Sequence, residues 1–144
     1  MSSPFQLGRA EAYPIPTRDA VSTDKAPKAI GPYSQGIKAG DFVYTAGQAG
    51  VDPATGKLVE GGIAEQTRQT LKNVQAIVEA AGATLERVVK CGVFLADMGD
   101  FQAMNAVYAE FFPPDKNPPA RTTVQAAKLP LGALVEIDVV ALLK

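Results

Sequence analysis

Between residues 62 and 82 the apolar side chains recur at helical spacing. Leu71, Val74, Val78 and Ala81 form one stripe, Thr67 and Ile77 sit at its margins, and Glu65, Arg68, Lys72 and Glu79 occupy the opposite side. A period near 3.6 with a polar far side predicts an amphipathic helix over 63–81. Gly82 is its natural stop, because glycine adopts positive φ without steric cost. The next run, VVKCGVFLA over 88–96, is rich in β-branched and aromatic residues and predicts a strand. Asp97 or Asp100 then offers an N-cap to a second helix with the stripe Phe101, Met104, Tyr108 and Phe111. Asn105 falls on that same stripe and reads as a buried amide hydrogen-bonded to a nearby loop. Pro113, Pro114, Pro118 and Pro119 forbid the helix to continue.

The remaining segments alternate with period two. Ile37 and the pair Val43–Tyr44 flank Ala39-Gly40-Asp41, a good hairpin turn. DPATGKL, 52–58, reads as a Pro/Gly turn leading into a short strand, and two last strands follow at 121–126 and 134–142. The order is β-β-(β)-α-β-α-β-β. Two amphipathic helices each need an apolar surface to cover, so both are expected on the same side of one mixed sheet, an α+β domain. Along the last strand Val135, Ile137, Val139 and Ala141 point one way, while Leu134, Glu136, Asp138, Val140 and Leu142 point the other. The first set suits a helix-covered core. The second mixes carboxylates with large apolar residues, as a subunit interface with a polar pocket would; an ordinary half-exposed strand is the plainer reading.

Composition narrows the chemistry. The 144 residues are 47% apolar and 20% charged with a formal net charge of −1, which fits one globular domain with no field for nucleic acid or anionic membrane. No stretch reaches the roughly 18 apolar residues of a membrane span. The sequence has no histidine, which removes Ser-His-Asp and Cys-His catalysis, histidine-ligated metals and histidine pH switches. The single cysteine, Cys91, excludes an internal disulfide or a multi-thiolate metal site and reads as an inert core residue. Residues 1–22 carry three prolines and no continuous apolar run, and Glu11 and Asp19 argue against a transit peptide. They read as a mobile or edge-packed arm before a domain over 23–144, with cytoplasmic residence as the default and organelle targeting by the arm left open.

Arg121 stands behind two prolines at the entrance of a strand, an unusual place for a cation. It and Glu136 lie on consecutive strands joined by KLPLGA, and if those strands pair the two share one patch of sheet. A guanidinium fork fits a carboxylate, and Glu136 is placed either to hold that fork or to act on a water as general base or acid. A purely structural ion pair is the alternative. Tyr33 leaves a Gly-Pro turn, which fixes its exit, and the glycines of TAGQAG permit close backbone approach to a ligand. Lys90 has the chemistry for a Schiff base, but nothing in the sequence brings it near the other candidates.

The motifs APKAIGPYSQGI, VYTAGQ, NVQAIVEAAGA, VVKCGVFLADMGDFQAMNAVYAEFF and PPARTTVQAAKLPLGALVEID occur in that order. From about Ser22 to the C-terminus the chain strongly resembles the RidA family, also called YjgF or L-PSP endoribonuclease-like. The resemblance implies a chorismate-mutase-like α+β fold and a homotrimer with its sheets around a central barrel and a cleft between each pair of subunits. It also implies cofactor-free hydrolysis of 2-imino acids or their enamines, such as 2-iminopropanoate and 2-iminobutanoate, to 2-oxo acids and ammonia. Carried over by motif, Arg121 would clamp the substrate carboxylate, Tyr33 would line the cleft, Glu136 would position or activate water, and backbone groups of Gly47 and Thr123 would complete the site. Two departures bear on this. Ala46 stands where many members have serine, so a hydroxyl contact is missing. Thr122 and Thr123 follow the arginine, so a thiol there is excluded while a backbone role survives. The competing readings are a non-catalytic small-ligand-binding regulator and a ribonuclease or translation inhibitor. The near-neutral charge and the absence of histidine weaken the latter.

Overall fold

In the computed structural model, which describes residues 15–144, both helices form where the periodicity places them. Helix α1 is Ile63–Ala80 and α2 is Phe101–Phe111. The strands are β1 Arg18–Val21, β2 Gly36–Ala39, β3 Phe42–Thr45, β4 Val88–Leu95, β5 Ala120–Gln125 and β6 Val135–Leu142. They make a single sheet in the order β1-β2-β3-β6-β4-β5. Every pairing is antiparallel except β4 with β5. The turn between β2 and β3 uses Gly40 at φ 58°. The segment after the 52–58 turn is not a strand, since only one bridge, Val51 to Leu58, forms there. The arm is described only in part. Residues 1–14 lie outside the described residues, whereas Arg18–Val21 packs on the sheet edge as β1.

Topology explains why both helices share a face. β3 and β4 are each antiparallel to β6, and β5 is parallel to β4, so β3, β4 and β5 run the same way. They succeed one another in one direction across the sheet. Right-handed crossovers in one direction put both connecting helices on one side. The core lies there. Leu71, Val74, Ile77 and Val78 of α1 meet Met104 and Tyr108 of α2 over Val93, Leu95, Val135, Ile137, Val139 and Ala141. The inward set of β6 is therefore the one its alternation predicts. Two margins shift. Ile77 is fully buried, and Val107 of α2 and Phe112 at its C-terminal cap are buried where Phe101 and Phe111 are only half-buried. Asp97, not Asp100, provides the cap side chain, accepting from the Gly99 amide at 2.7 Å in the turn ahead of α2. No helix among the described residues is long and apolar enough to cross a membrane.

A buried polar row on α1 escapes the hydrophobic pattern. Gln66, Thr67, Thr70 and Asn73 are all buried. Asn73 Nδ2 donates to the Ala49 carbonyl at 3.0 Å and the Val51 carbonyl at 2.8 Å, and Gln66 Oε1 accepts from the Leu134 amide at 2.9 Å. Gln66 and Asn73 thus partner loop backbone outside the strands, whereas the Thr67 and Thr70 hydroxyls are buried without partners. Asn73→Leu strands two buried carbonyls at about 1–3 kcal/mol each. The expected result is a folded but clearly destabilised protein, read as a lower urea midpoint at unchanged slope.

Candidate functional site

The loop after β3 is fixed from two sides. Gln48 exchanges two backbone hydrogen bonds with Ile137, both 2.9 Å. On the other side the Ala46 amide donates to the Gln35 carbonyl at 2.8 Å. The buried Gln35 amide in turn donates to the carbonyls of Thr23 and Pro27 at 3.0 and 2.7 Å, which ties down the segment leading to Lys28. Gly47 thereby comes to lie against Glu136. A Cβ at position 47 would sit 2.8 Å from the Glu136 carboxyl carbon, so any larger residue would displace the Glu136 side chain from where it now lies. Tyr33 leaves its Gly-Pro turn half-exposed, its hydroxyl accepting from the Ile30 amide at 3.2 Å. Together Tyr33, Gly47, Glu136, Ile30, Val51 and Leu131 line a cavity of about 460 Å³. Burial, and secondarily the negative charge of Asp138, push the Glu136 carboxyl above its ordinary range. A carboxylate shifted upward in a cavity is suited to exchange protons with a bound water.

Arg121 lies elsewhere. The expectation that its strand pairs with that of Glu136 is wrong, because β6 inserts between β3 and β4 and leaves β5 on the outer edge of β4. Cys91 is the register partner of both Arg121 and Val139, so Arg121 shares the helix face. Glu136, one position out of phase with Val135 and Ile137, leaves the opposite face. The guanidinium carbon of Arg121 sits 4.6 Å from the ring centre of Tyr108 and 5.6 Å from that of Phe101. Cation–π contact with two rings of α2 orients the fork. Among the described residues Arg121 makes no salt bridge. Asn105 Oδ1, Tyr108 Oη and Thr123 Oγ1 are buried without hydrogen-bond partners. The loop hydrogen bond expected of Asn105 is therefore not made by its oxygen. A guanidinium without a salt bridge, beside buried polar groups that lack partners, has the chemistry to receive a planar anion.

Phe101 and Tyr108 were legible only as core. Their link to Asn105 at helical spacing was the available signal: all three share one face of α2, which the fold turns toward Arg121. The other reactive candidates fall away. Cys91 is fully buried, and its thiol is pushed up to about 11 by that burial, which makes it a poor nucleophile. Burial likewise holds the Tyr108 phenol far above its usual range. Lys90 Nζ donates to Thr122 Oγ1 at 2.8 Å on the helix-free face, away from Arg121.

A single mixed sheet with two helices on one face, with a carboxylate-bearing cavity on one side and an arginine stacked on the second helix on the other, defines an α+β protein of the chorismate-mutase-like class. The chain belongs to the Endoribonuclease L-PSP family, the RidA/YjgF group, whose model matches residues 23–143. It is 52% identical to a RutC family protein of Pyrococcus horikoshii over 86% of this chain and 97% of that protein. It is 47% identical to the human 2-iminobutanoate/2-iminopropanoate deaminase over 87% of this chain and 90% of the relative. Among solved structures, E. coli TdcF with bound serine superposes with a TM-score of 0.82 at 41% identity, covering 86% of this chain and 98% of that one.

Proposed function

We propose that the protein hydrolyses reactive 2-imino acids, 2-iminopropanoate and 2-iminobutanoate among them, to 2-oxo acids and ammonia, protecting against their accumulation. The observation that carries this reading is the half-buried Glu136 pressed against Gly47 in the wall of a cavity. The human relative's name and the serine bound to TdcF agree with a small amino-acid-like ligand. In the reaction Glu136 takes a proton from water as the water oxygen bonds to the imine carbon. The C=N π pair moves to nitrogen, which takes that proton from the Glu136 carboxyl to give the carbinolamine. Glu136 then removes the hydroxyl proton as C=O forms and passes it to the departing nitrogen, so that ammonia leaves and the carboxylate is regenerated. An imine is already electrophilic, so orientation and water activation suffice for a large rate gain. Tyr33 and the Gly47 backbone border the substrate, Arg121 clamps its carboxylate, and Thr123 contributes beside Arg121. A trapping experiment tests the activity. An amino-acid oxidase supplies the imine, semicarbazide traps it, and catalytic amounts of protein are expected to lower the trapped product; unchanged trapping sinks the reading.

Because Arg121 and Glu136 leave opposite faces of one sheet, a working site takes Arg121 from one copy and Glu136 from the next. A homotrimer closed around the helix-free face provides three such clefts. Support comes from the apolar character of that face, where Phe42 pairs with Leu142 and Tyr44 with Val140, outside the helix-covered core. Shared sites make a quantitative prediction. Arg121→Ala and Glu136→Gln are each expected to be inactive, yet refolding them together at equal amounts should restore about a quarter of the wild-type sites, as random mixing in a closed ring requires. Placing both changes in one chain and mixing it with either single variant should restore none. No recovery from the first mixture would mean that the site does not cross subunits.

A further inference from the structure

The connection from β5 to β6 holds Leu131 in the left-handed backbone region, at φ 62° and ψ 12°. A bulky non-glycine residue there is strained, and such strain persists only where the surroundings over-determine it. The surroundings do so here. The Gly132 amide donates to the Leu129 carbonyl at 3.3 Å, the Ala133 amide donates to the Pro130 carbonyl at 3.1 Å, and Ala133 itself is buried. Yet the leucine gains little from burial in the chain, since it is 59% exposed. Glycine would suit the backbone better and cost no core contact. Ile30, which lines the same cavity, is likewise an exposed apolar side chain, at 76%. Both side chains line the cavity that Glu136 borders, with Val51, Pro53 and Pro130 as further apolar wall. That volume, about 460 Å³, falls in the range of about 300–1,000 Å³ that holds drug-sized ligands. An imino acid with a single methyl side chain leaves most of it to water.

We propose that Ile30 and Leu131 are specificity-determining residues, which line the cavity together to receive the aliphatic side chain of the substrate, so that this protein favours 2-imino acids with long or branched apolar side chains over 2-iminopropanoate. The assignment rests on the deaminase reading of the Glu136 cavity. Apolar contact is the discriminating force, and an added methylene in such a pocket changes selectivity by about 10- to 200-fold.

The test compares imines made by amino-acid oxidase from leucine and from alanine, in the semicarbazide competition format, with the wild type, Leu131→Gly, Leu131→Asn and Ile30→Ala. Glycine and asparagine both tolerate the left-handed backbone, so neither should lower the melting temperature. The expected result is a wild-type preference for the leucine-derived imine that each variant reduces by about tenfold, together with weaker inhibition by 4-methyl-2-oxopentanoate relative to pyruvate. Equal losses on both imines, or a wild type without the preference, overturn the assignment while leaving the deaminase reading intact. A wild type inactive on both imines overturns the two together.

Discussion

Arg121→Ala is expected to lower kcat/KM for 2-imino acids by about two to four orders of magnitude. A bidentate carboxylate contact comprises two charge-assisted hydrogen bonds of about 1.5–3 kcal/mol each, and each 1.36 kcal/mol corresponds to about tenfold in rate. The fold should survive. Arg121 lies on edge strand β5, half-exposed, and what it gives the monomer is its contact with Tyr108 and Phe101. Such a contact is worth about 0.5–1 kcal/mol at an exposed site. Circular dichroism and sizing should therefore match the wild type while the imine-trapping assay shows the loss. Arg121→Lys should recover little, because an ammonium keeps the charge but not the planar fork. An active Arg121→Ala protein would reduce this residue to a stacking role on α2.

Glu136→Gln should remove about two to four orders of magnitude from kcat and leave the binding of 2-oxo acids largely intact, as expected for a lost general base. A parallel loss of binding would instead make Glu136 an orienting residue. The pH profile gives a second reading. Burial and Asp138 raise the Glu136 pKa, and the base works as the carboxylate. Activity should therefore rise with pH along a limb centred above the ordinary carboxylate range, and the glutamine variant should lack that limb. Stability should move the opposite way. With the native pKa above the unfolded value, the native state holds the proton more tightly in the window between them. The contribution of Glu136 to folding is then fully present below the unfolded pKa and is lost as pH rises through the raised native value. Glu136→Gln never ionises, so it should melt higher than the wild type at neutral pH. A site that is more stable when disabled is a common signature of a group placed for chemistry.

The local elements of this protein are written in its periodicity. The 3.6-residue stripe from Leu71 to Ala81 specifies α1, the alternation from Val135 to Ala141 specifies which side of β6 is core, and Gly40 specifies the hairpin. Each depends on residues a few positions apart. The buried polar row on α1 was invisible to the same reasoning, because Gln66 and Asn73 are paired with loop backbone about twenty to seventy residues away, at Ala49, Val51 and Leu134.

The site shows the same division more sharply. The sequence alone determined which residue types are on hand: with no histidine and a single cysteine, the candidates it offers are Arg121, Glu136, Tyr33 and the backbone around Gly47, chosen by residue type and by family resemblance. What it did not determine is how they meet. Consecutive strands are neighbours about two-thirds of the time, and β5 and β6 are an exception, because β6 finds its hydrogen-bonding partners in β3 and β4. That insertion puts Arg121 in register with Cys91 on the helix face and sends Glu136 out of the opposite face. In a strand the side follows from register, and register is set by long-range pairing. Only the tertiary structure could therefore decide that the cation and the carboxylate do not share one patch of one chain.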